Sequence, residues 1–441
     1  MKTDSTLFQM ATTLGTRFTV LFGTFLASVL TARLLGPEGK GVVTSLLIVP
    51  TLVVSLADLG LRQSTAFFIG QKTYGLKPLL STLLSVWLVS SLLCTGAVAA
   101  IYFAAYADRY EPALLLLFLA TIPLNLGIQY MRGVMQGRVR IGGINTAELI
   151  RIGLHVVLLL LLVGLWKTGV LGAAVTQIAM AAGTLLYLLL ASRDLAARFG
   201  WDRNIVRALL TKGFAFAVAL FVLQLNYRID IVILEAYAGA YDVGIYSIGT
   251  NLAEMIWQIP AAAGMILFSK GANARDGAES VARTTKLIRF LALPLVAGGA
   301  VLWALAPFVI TLLFGSEYAA SSTVVRIILP GVLIFVVVKL LHSDLSGRGF
   351  PLFSLNVSIA ALALNIAMNF ALIPAYGAVG AAVSSAVSYT AAGCLFVILY
   401  VRREKLRVRD LLLPSGEDLL EARRLLAGFI ARRPKKEMRA G

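Results

Sequence analysis

The sequence predicts an all-α, polytopic membrane protein with twelve transmembrane helices, arranged as two parallel-repeat six-helix lobes around a central cavity. Three observations carry that prediction. Of the 441 residues, 59% are hydrophobic and 14% charged, against roughly 45–50% and about 25% in soluble domains. With a mean hydropathy of +0.86, the chain lacks the polar surface a water-soluble globule of this size needs. Twelve apolar runs each approach the ~20 residues that span about 30 Å of hydrocarbon, and three pairs of segments recur at a nearly constant offset. The ~10-residue segments of period two that mark a membrane β-barrel are missing.

The first-half runs lie at roughly 12–34, 41–62, 79–104, 112–131, 145–166 and 169–192. The second-half runs lie at roughly 208–234, 241–268, 287–314, 319–345, 351–373 and 377–401. The first run has no basic flank and no small-residue cleavage site, so it reads as a span and not as a signal peptide. Loops that follow even-numbered spans carry sixteen Lys and Arg, and those that follow odd-numbered spans carry four, including Arg33 and Lys40. Positive charge marks the cytoplasmic side, so both termini are expected there. The net charge of +17 is then topogenic and lipid-facing, and no nucleic-acid partner is expected. The basic tail, 402–441, contains an amphipathic stretch at 417–430 that suits a short helix on the inner leaflet.

The repeat is read from three matches. LLGPEGKGVVTS (34–45) matches YAGAYDVGIYSI (237–248), Gly137-Arg138 matches Gly347-Arg348, and GVLGAAVTQ (169–177) matches GAVGAAVSS (377–385), at offsets of 203, 210 and 208. Small residues alone would also serve close helix packing; the shared order and period point to a duplicated six-helix half. An even helix number gives both halves the same orientation. The expected domains are an N-lobe over 1–200, a C-lobe over 201–401 and the tail.

Several chemistries have no residues to carry them. There is no phosphate-binding loop and no nucleophile elbow. The only histidines, His155 and His342, are 187 residues apart, and Cys94 and Cys394 lie in apolar runs. The chain is therefore expected to be no enzyme, with no cofactor and no metal.

Ionisable residues within spans are costly and mark functional surfaces. Span 1 aligns Thr13, Arg17, Thr24, Ser28 and Thr31 on one face, and span 2 ends at Asp58. Span 5 aligns Glu148, Arg151 and His155, for which an ion pair between Glu148 and Arg151 is the structural alternative. Span 7 holds Gln224, Asn226, Arg228 and Asp230, and span 8 holds Glu254. Span 10 holds Arg326 and, near its cytoplasmic end, Lys339, His342 and Asp344, a trio suited to a structural role. Span 11 aligns Ser358, Asn365 and Asn369. Together these suggest a polar, partly cationic lumen suited to an anionic, sugar-bearing substrate. Arg17, Arg151, Arg228, Arg326, Asn365 and Asn369 are the candidate substrate ligands, with Asp58, Asp230 and Glu254 as candidate carriers of a coupling ion.

Residues 33–61, RLLGPEGKGVVTSLLIVPTLVVSLADLGL, resemble the N-terminal signature of polysaccharide-repeat-unit flippases of the multidrug/oligosaccharidyl-lipid/polysaccharide exporter superfamily. Arg228-x-Asp230 followed by Gly239 and Gly244-Ile245-Tyr246 resembles its second-half counterpart. The resemblance implies a V-shaped cavity, alternating access and a bacterial cytoplasmic-membrane location. It also implies that an oligosaccharide on undecaprenyl diphosphate is flipped outward for O-antigen, capsule or exopolysaccharide synthesis. Arg17 and Arg151 fall where such flippases place lumen cations. Expected partners are that lipid-linked substrate, membrane lipids and a polymerase or glycosyltransferases. Two other readings stay open: a multidrug/cation antiporter of the same fold, and a non-transporting subunit of a polysaccharide synthase.

Overall fold

The computed structural model of the chain describes residues 2–58, 60–192, 198–272, 277–350 and 353–413. Every regular element among them is a helix. The helices are α1 (Lys2–Ala57), α2 (Leu61–Gln71), α3 (Leu76–Ala105), α4 (Pro112–Gly137), α5 (Ile141–Leu158) and α6 (Gly169–Leu190), then α7 (Arg203–Glu254), α8 (Gln258–Ala272), α9 (Gly277–Phe314), α10 (Ser321–Gly347), α11 (Phe353–Glu404) and α12 (Val408–Leu412). A π-helical turn, Leu159–Leu165, extends α5. Nine helical segments among the described residues are long and apolar enough to cross a membrane. The amphipathic stretch 417–430 lies outside the described residues.

Three of the nine are broken at a glycine: α1 at Gly36, α7 at Gly239 and α11 at Gly377. The sequence-based span boundaries fall at the same three places. Gly36 (φ 67, ψ 179) and Gly239 (φ 82, ψ −178) share one backbone state, a region open essentially to glycine alone. The break at Gly36 is followed at once by Pro37, whose ring suits the first turn of a new helical segment.

The described chain falls into two compact units. Unit 1 contains Met1–Ile248, Val309–Ser321 and Ile366–Ala381, and unit 2 contains Gly249–Phe308, Ser322–Asn365 and Ala382–Gly441. Unit 1 runs past residue 200, and α7 packs on first-half residues around Gly213 and Ala240. The Gly213 carbonyl lies where a Cβ on Gly60 would sit, and the Ala240 carbonyl closes on Gly41. One close-packed cluster in this unit joins Ile128, Met135, Ala147, Ala181 and Leu188 of α4, α5 and α6.

The duplicated sequence reappears as duplicated contacts. A Cβ on Gly41 would overlap the Ala240 carbonyl, and one on Gly244 would overlap the Pro37 carbonyl. Adding 203 turns Gly41 into Gly244 and Pro37 into Ala240, so the two contacts exchange under the repeat. Likewise the Ala32 carbonyl accepts from Tyr318 Oη at 3.3 Å, and the equivalent Glu235 carbonyl accepts from Arg109 Nη1 at 3.2 Å. Gly39 faces Val170, and its equivalent Asp242 accepts from the Ala378 amide at 2.8 Å. All of these lie in unit 1, toward the end that carries Gly36 and Gly239.

α1 and α5 run in the same direction, since Gly23 meets Ile152 and Gly164 meets Leu34. At the opposite end Gly133 and Gly137 of α4 seat against Arg62 and Ala66 of α2. That end carries Arg62, Arg138 and Arg140 and is the basic end.

In unit 2, buried Asp344 joins three helices. Its Oδ1 accepts from Ser280 and Thr284 of α9 at 2.7 and 3.1 Å, and its Oδ2 accepts from Tyr400 of α11 at 3.1 Å and from Arg348 at 3.2 Å. Arg348 also grips Glu404 through both terminal nitrogens, at 2.9 and 3.1 Å. Lys339 lies 4.2 Å over the Trp257 ring and His342 bonds Ser354. The trio read from span 10 as structural is thus engaged by neighbouring helices.

Candidate functional site

A cavity of about 430 Å³ lies within unit 1. Helical spacing lines its walls. Thr51, Ser55 and Asp58 come from α1 and the residue after it, and Thr121, Asn125 and Gln129 recur every four residues on α4. Residues four apart share a helix face, so each polar row faces one way while the apolar remainder packs. Arg62 of α2, Arg151 of α5, Gln177 of α6 and Gln224 of α7 complete the polar lining, with Leu47, Pro50, Val54, Met180 and Leu223 between them.

Local geometry decides which groups are available to a ligand. Thr51 and Thr121 donate to the carbonyls of Leu47 and Phe118 at 2.7 and 2.5 Å, and Asn125 donates to Thr121 O at 2.8 Å. These bonds keep the side chains against their own helices. Asp58 accepts from the Arg62 amide at 3.3 Å, which fixes the turn between α1 and α2. Gln177 Nε2 lies 3.3 Å from His155 Nε2.

Glu148 forms its ion pair with Arg132 of α4. The pair anticipated as a structural alternative, Glu148 with Arg151, is therefore not the one formed. Arg151 has no hydrogen bond or ion pair among the described residues, is half-buried and faces the cavity. Arg62 presents a second guanidinium with no ion pair among the described residues. Two guanidiniums set among amides and hydroxyls can grip a phosphoryl or carboxylate group by paired N–H donors, while the amides serve hydroxyls as donor and acceptor.

Of the residues proposed from sequence, Arg151 and Asp58 line this cavity. Arg17 is exposed on α1, six residues before the Gly23 contact with α5, so about 9 Å nearer the basic end at 1.5 Å per residue. Arg228 is half-buried on α7. Asp230 is buried, accepting from Tyr246 Oη and from the Ile231 amide at 2.9 Å. Asn369 is buried in the α11 part of unit 1.

The other three belong to unit 2. Arg326 donates to the Trp303 carbonyl at 3.1 Å and stacks 4.9 Å over its ring. Glu254 is an electrostatic neighbour of Lys339. Asn365 bonds Ser388 and Ser385 at 3.4 and 3.5 Å. Sequence reasoning missed Arg62, Asn125 and Gln129 as lining residues; the four-residue spacing of Thr121, Asn125 and Gln129 was the available signal.

The family model described as polysaccharide biosynthesis protein matches residues 30–323, more than half of the chain. The chain belongs to the polysaccharide biosynthesis protein family. The matched stretch of this family member contains every residue that lines the cavity. Among solved structures, the lipid II flippase MurJ in an inward closed conformation superposes with a TM-score of 0.74 at 15% identity, covering 97% of this chain and 94% of that one. An inward-facing multidrug resistance MATE family transporter of the MOP superfamily gives 0.71 at 14% identity, covering 88% and 94%. A MOP superfamily transporter from Pyrococcus furiosus gives 0.56 at 15% identity, covering 90% and 94%. At such identities the likeness shows the family member's fold. No curated protein matches its sequence.

Proposed function

We propose that the chain is a flippase that carries an undecaprenyl-diphosphate-linked oligosaccharide repeat unit across the bacterial cytoplasmic membrane by alternating access, for cell-surface polysaccharide synthesis. The observation that carries this reading is Arg151, an arginine without a partner among the described residues, facing a polar cavity that also holds Arg62. A lipid diphosphate cannot leave the headgroup region without compensating charge, and two guanidiniums at the wall of a membrane cavity offer it. The family membership and the fold shared with a lipid II flippase support the same reading.

The proposal includes twelve spans in two lobes (1–200 and 201–401), a cytoplasmic basic end and both termini inside. Arg17, at the exposed start of span 1, is proposed to meet the headgroup before Arg151 and Arg62. Asp58, Asp230 and Glu254 remain the proposed carriers of the coupling ion, and Arg228, Arg326, Asn365 and Asn369 further substrate contacts.

The test is depletion of the protein followed by mass spectrometry of lipid-linked intermediates, with complementation by variants. An undecaprenyl diphosphate oligosaccharide should accumulate. Arg151→Gln should complement poorly, by about tenfold or more in polymer yield, with Arg151→Lys intermediate because lysine lacks the paired donors. An Arg62→Gln/Arg151→Gln double variant that complements fully at normal expression would end this reading. Dye efflux that depends on Asp58 and ignores both arginines would favour a cation antiporter.

A further inference from the structure

We propose that unit 2 carries a binding site for an anionic phospholipid, with an acyl chain in an apolar groove and the phosphate among the arginines of α12. This lipid is a membrane component and not the transported molecule, so the site stands apart from the flippase reading.

A cavity of about 460 Å³ lies between α9, α10, α11 and α12, all within unit 2. Every residue on its wall is apolar. Ile288 and Leu295 stand seven apart on α9, Leu333 and Leu340 seven apart on α10, and Cys394 and Ile398 four apart on α11. Those spacings keep each pair on one helix face. The walls thus run for about 10 Å, seven residues at 1.5 Å rise. Val296 and Ile398 are exposed at the rim, so the groove is open along one side. Left empty, it would forfeit dispersion contacts over the whole wall. Water has no polar partner there to replace them. A hydrocarbon chain restores them.

The end of the groove selects the kind of chain. Lys405 ends α11 in the left-handed region (φ 54), and the Leu406 amide donates to the Val401 carbonyl at 3.0 Å. The chain then forms α12, whose Leu411 is buried and whose Val408 and Leu412 line the groove. Its other face is charged. Arg407 and Arg409 flank Val408 and are exposed, as are Arg402 and Lys405 just before them. Arg402, Lys405 and Arg407 form no ion pair among the described residues, and Arg409 has only Asp410 at 4.0 Å. Glu404, which could have answered them, is held by both terminal nitrogens of Arg348. A hydrocarbon trough with cations at one end is complementary to a lipid with an anionic head. A zwitterionic head brings its own cation, which the same side chains repel.

Cys394, exposed and free on the groove wall, is a native reporter of occupancy. The full chain with Cys94→Ser, purified in detergent, is treated with N-ethylmaleimide while a lipid is added. Phosphatidylglycerol should slow Cys394 modification about tenfold at a concentration where phosphatidylcholine slows it less than about twofold. Arg407→Gln/Arg409→Gln, a change confined to exposed side chains, should remove that preference, and Arg407→Lys/Arg409→Lys should keep most of it. Ala292→Phe, which fills the groove, should slow modification without lipid and leave no further lipid effect. Equal protection by the two phospholipids would overturn the site, as would a phosphatidylglycerol effect unchanged in the Arg407→Gln/Arg409→Gln variant. Stronger protection by undecaprenyl phosphate than by phosphatidylglycerol would overturn it in favour of a prenyl chain. Slow modification without lipid, relieved only by deleting residues 414–441, would overturn it in favour of the chain's own tail.

Discussion

Arg132 and Arg151 show how one carboxylate sorts two arginines. Glu148 is three residues from Arg151 on the same helix, yet its ion pair is with Arg132 on α4. The side chains of that pair are 13% and 27% exposed, so water screens it only in part. Breaking it with Arg132→Gln or Glu148→Gln should cost on the order of 1.5–3 kcal/mol, the scale of a hydrogen bond to a charged group. The exchange Arg132→Glu/Glu148→Arg should recover part of that in a thermal melt. A double variant no more stable than the sum of the single losses would show that the pair is not a coupled unit. The face shared by Glu148, Arg151 and His155 was legible in the spacing. The choice of Arg132 was not, because it depends on how α4 packs against α5. Arg62 was hidden for a related reason: it stands at the edge of an apolar run, where a charge reads as a loop residue, yet it lines the cavity.

At the scale of elements, broken helices do what loops would do elsewhere. Gly36 and Gly239 take a backbone state that an L side chain enters at roughly 1–3 kcal/mol. Nothing stands within 4 Å of an added Cβ at Gly239, so backbone strain is the whole cost there. At Gly36 the Glu317 carboxylate stands 3.3 Å from such a Cβ and can swing away. Gly36→Ala and Gly239→Ala should therefore lower the melting temperature by similar amounts, measured on purified protein. A large drop at one and none at the other would mean that the two breaks are not equivalent. The repeat was readable because these glycines recur at fixed spacing with their neighbours.

For the whole molecule, the alternation of helix directions gives a topological prediction. A single cysteine at Ser316, in a background without Cys94 and Cys394, should react with an impermeant maleimide added outside intact cells. One at Arg140 should react only after the cells are opened. Reaction of both from the same side would break the twelve-span arrangement. The fold class, its helical content and its family were all within reach of the sequence, because hydropathy and charge bias act along the whole chain. The grouping of Val309–Ser321 and Ile366–Ala381 with the first 248 residues was not. It comes from contacts between stretches hundreds of residues apart, such as Arg33 donating to the carbonyls of Leu313 and Leu312 at 2.8 and 2.5 Å.

The crossing at Gly41 and Gly244 has an ancestral consequence. Each glycine receives the carbonyl of the residue equivalent to the other's partner, which is the pattern of an isologous interface, where one patch meets its own copy. An unduplicated half could have made this contact with a second molecule of itself, and fusion would have made the pairing permanent without redesigning it. Fragments 1–200 and 201–441, expressed together as separate polypeptides, should then find each other in the membrane and co-purify. Alanine at Gly41 and Gly244 together should abolish that association.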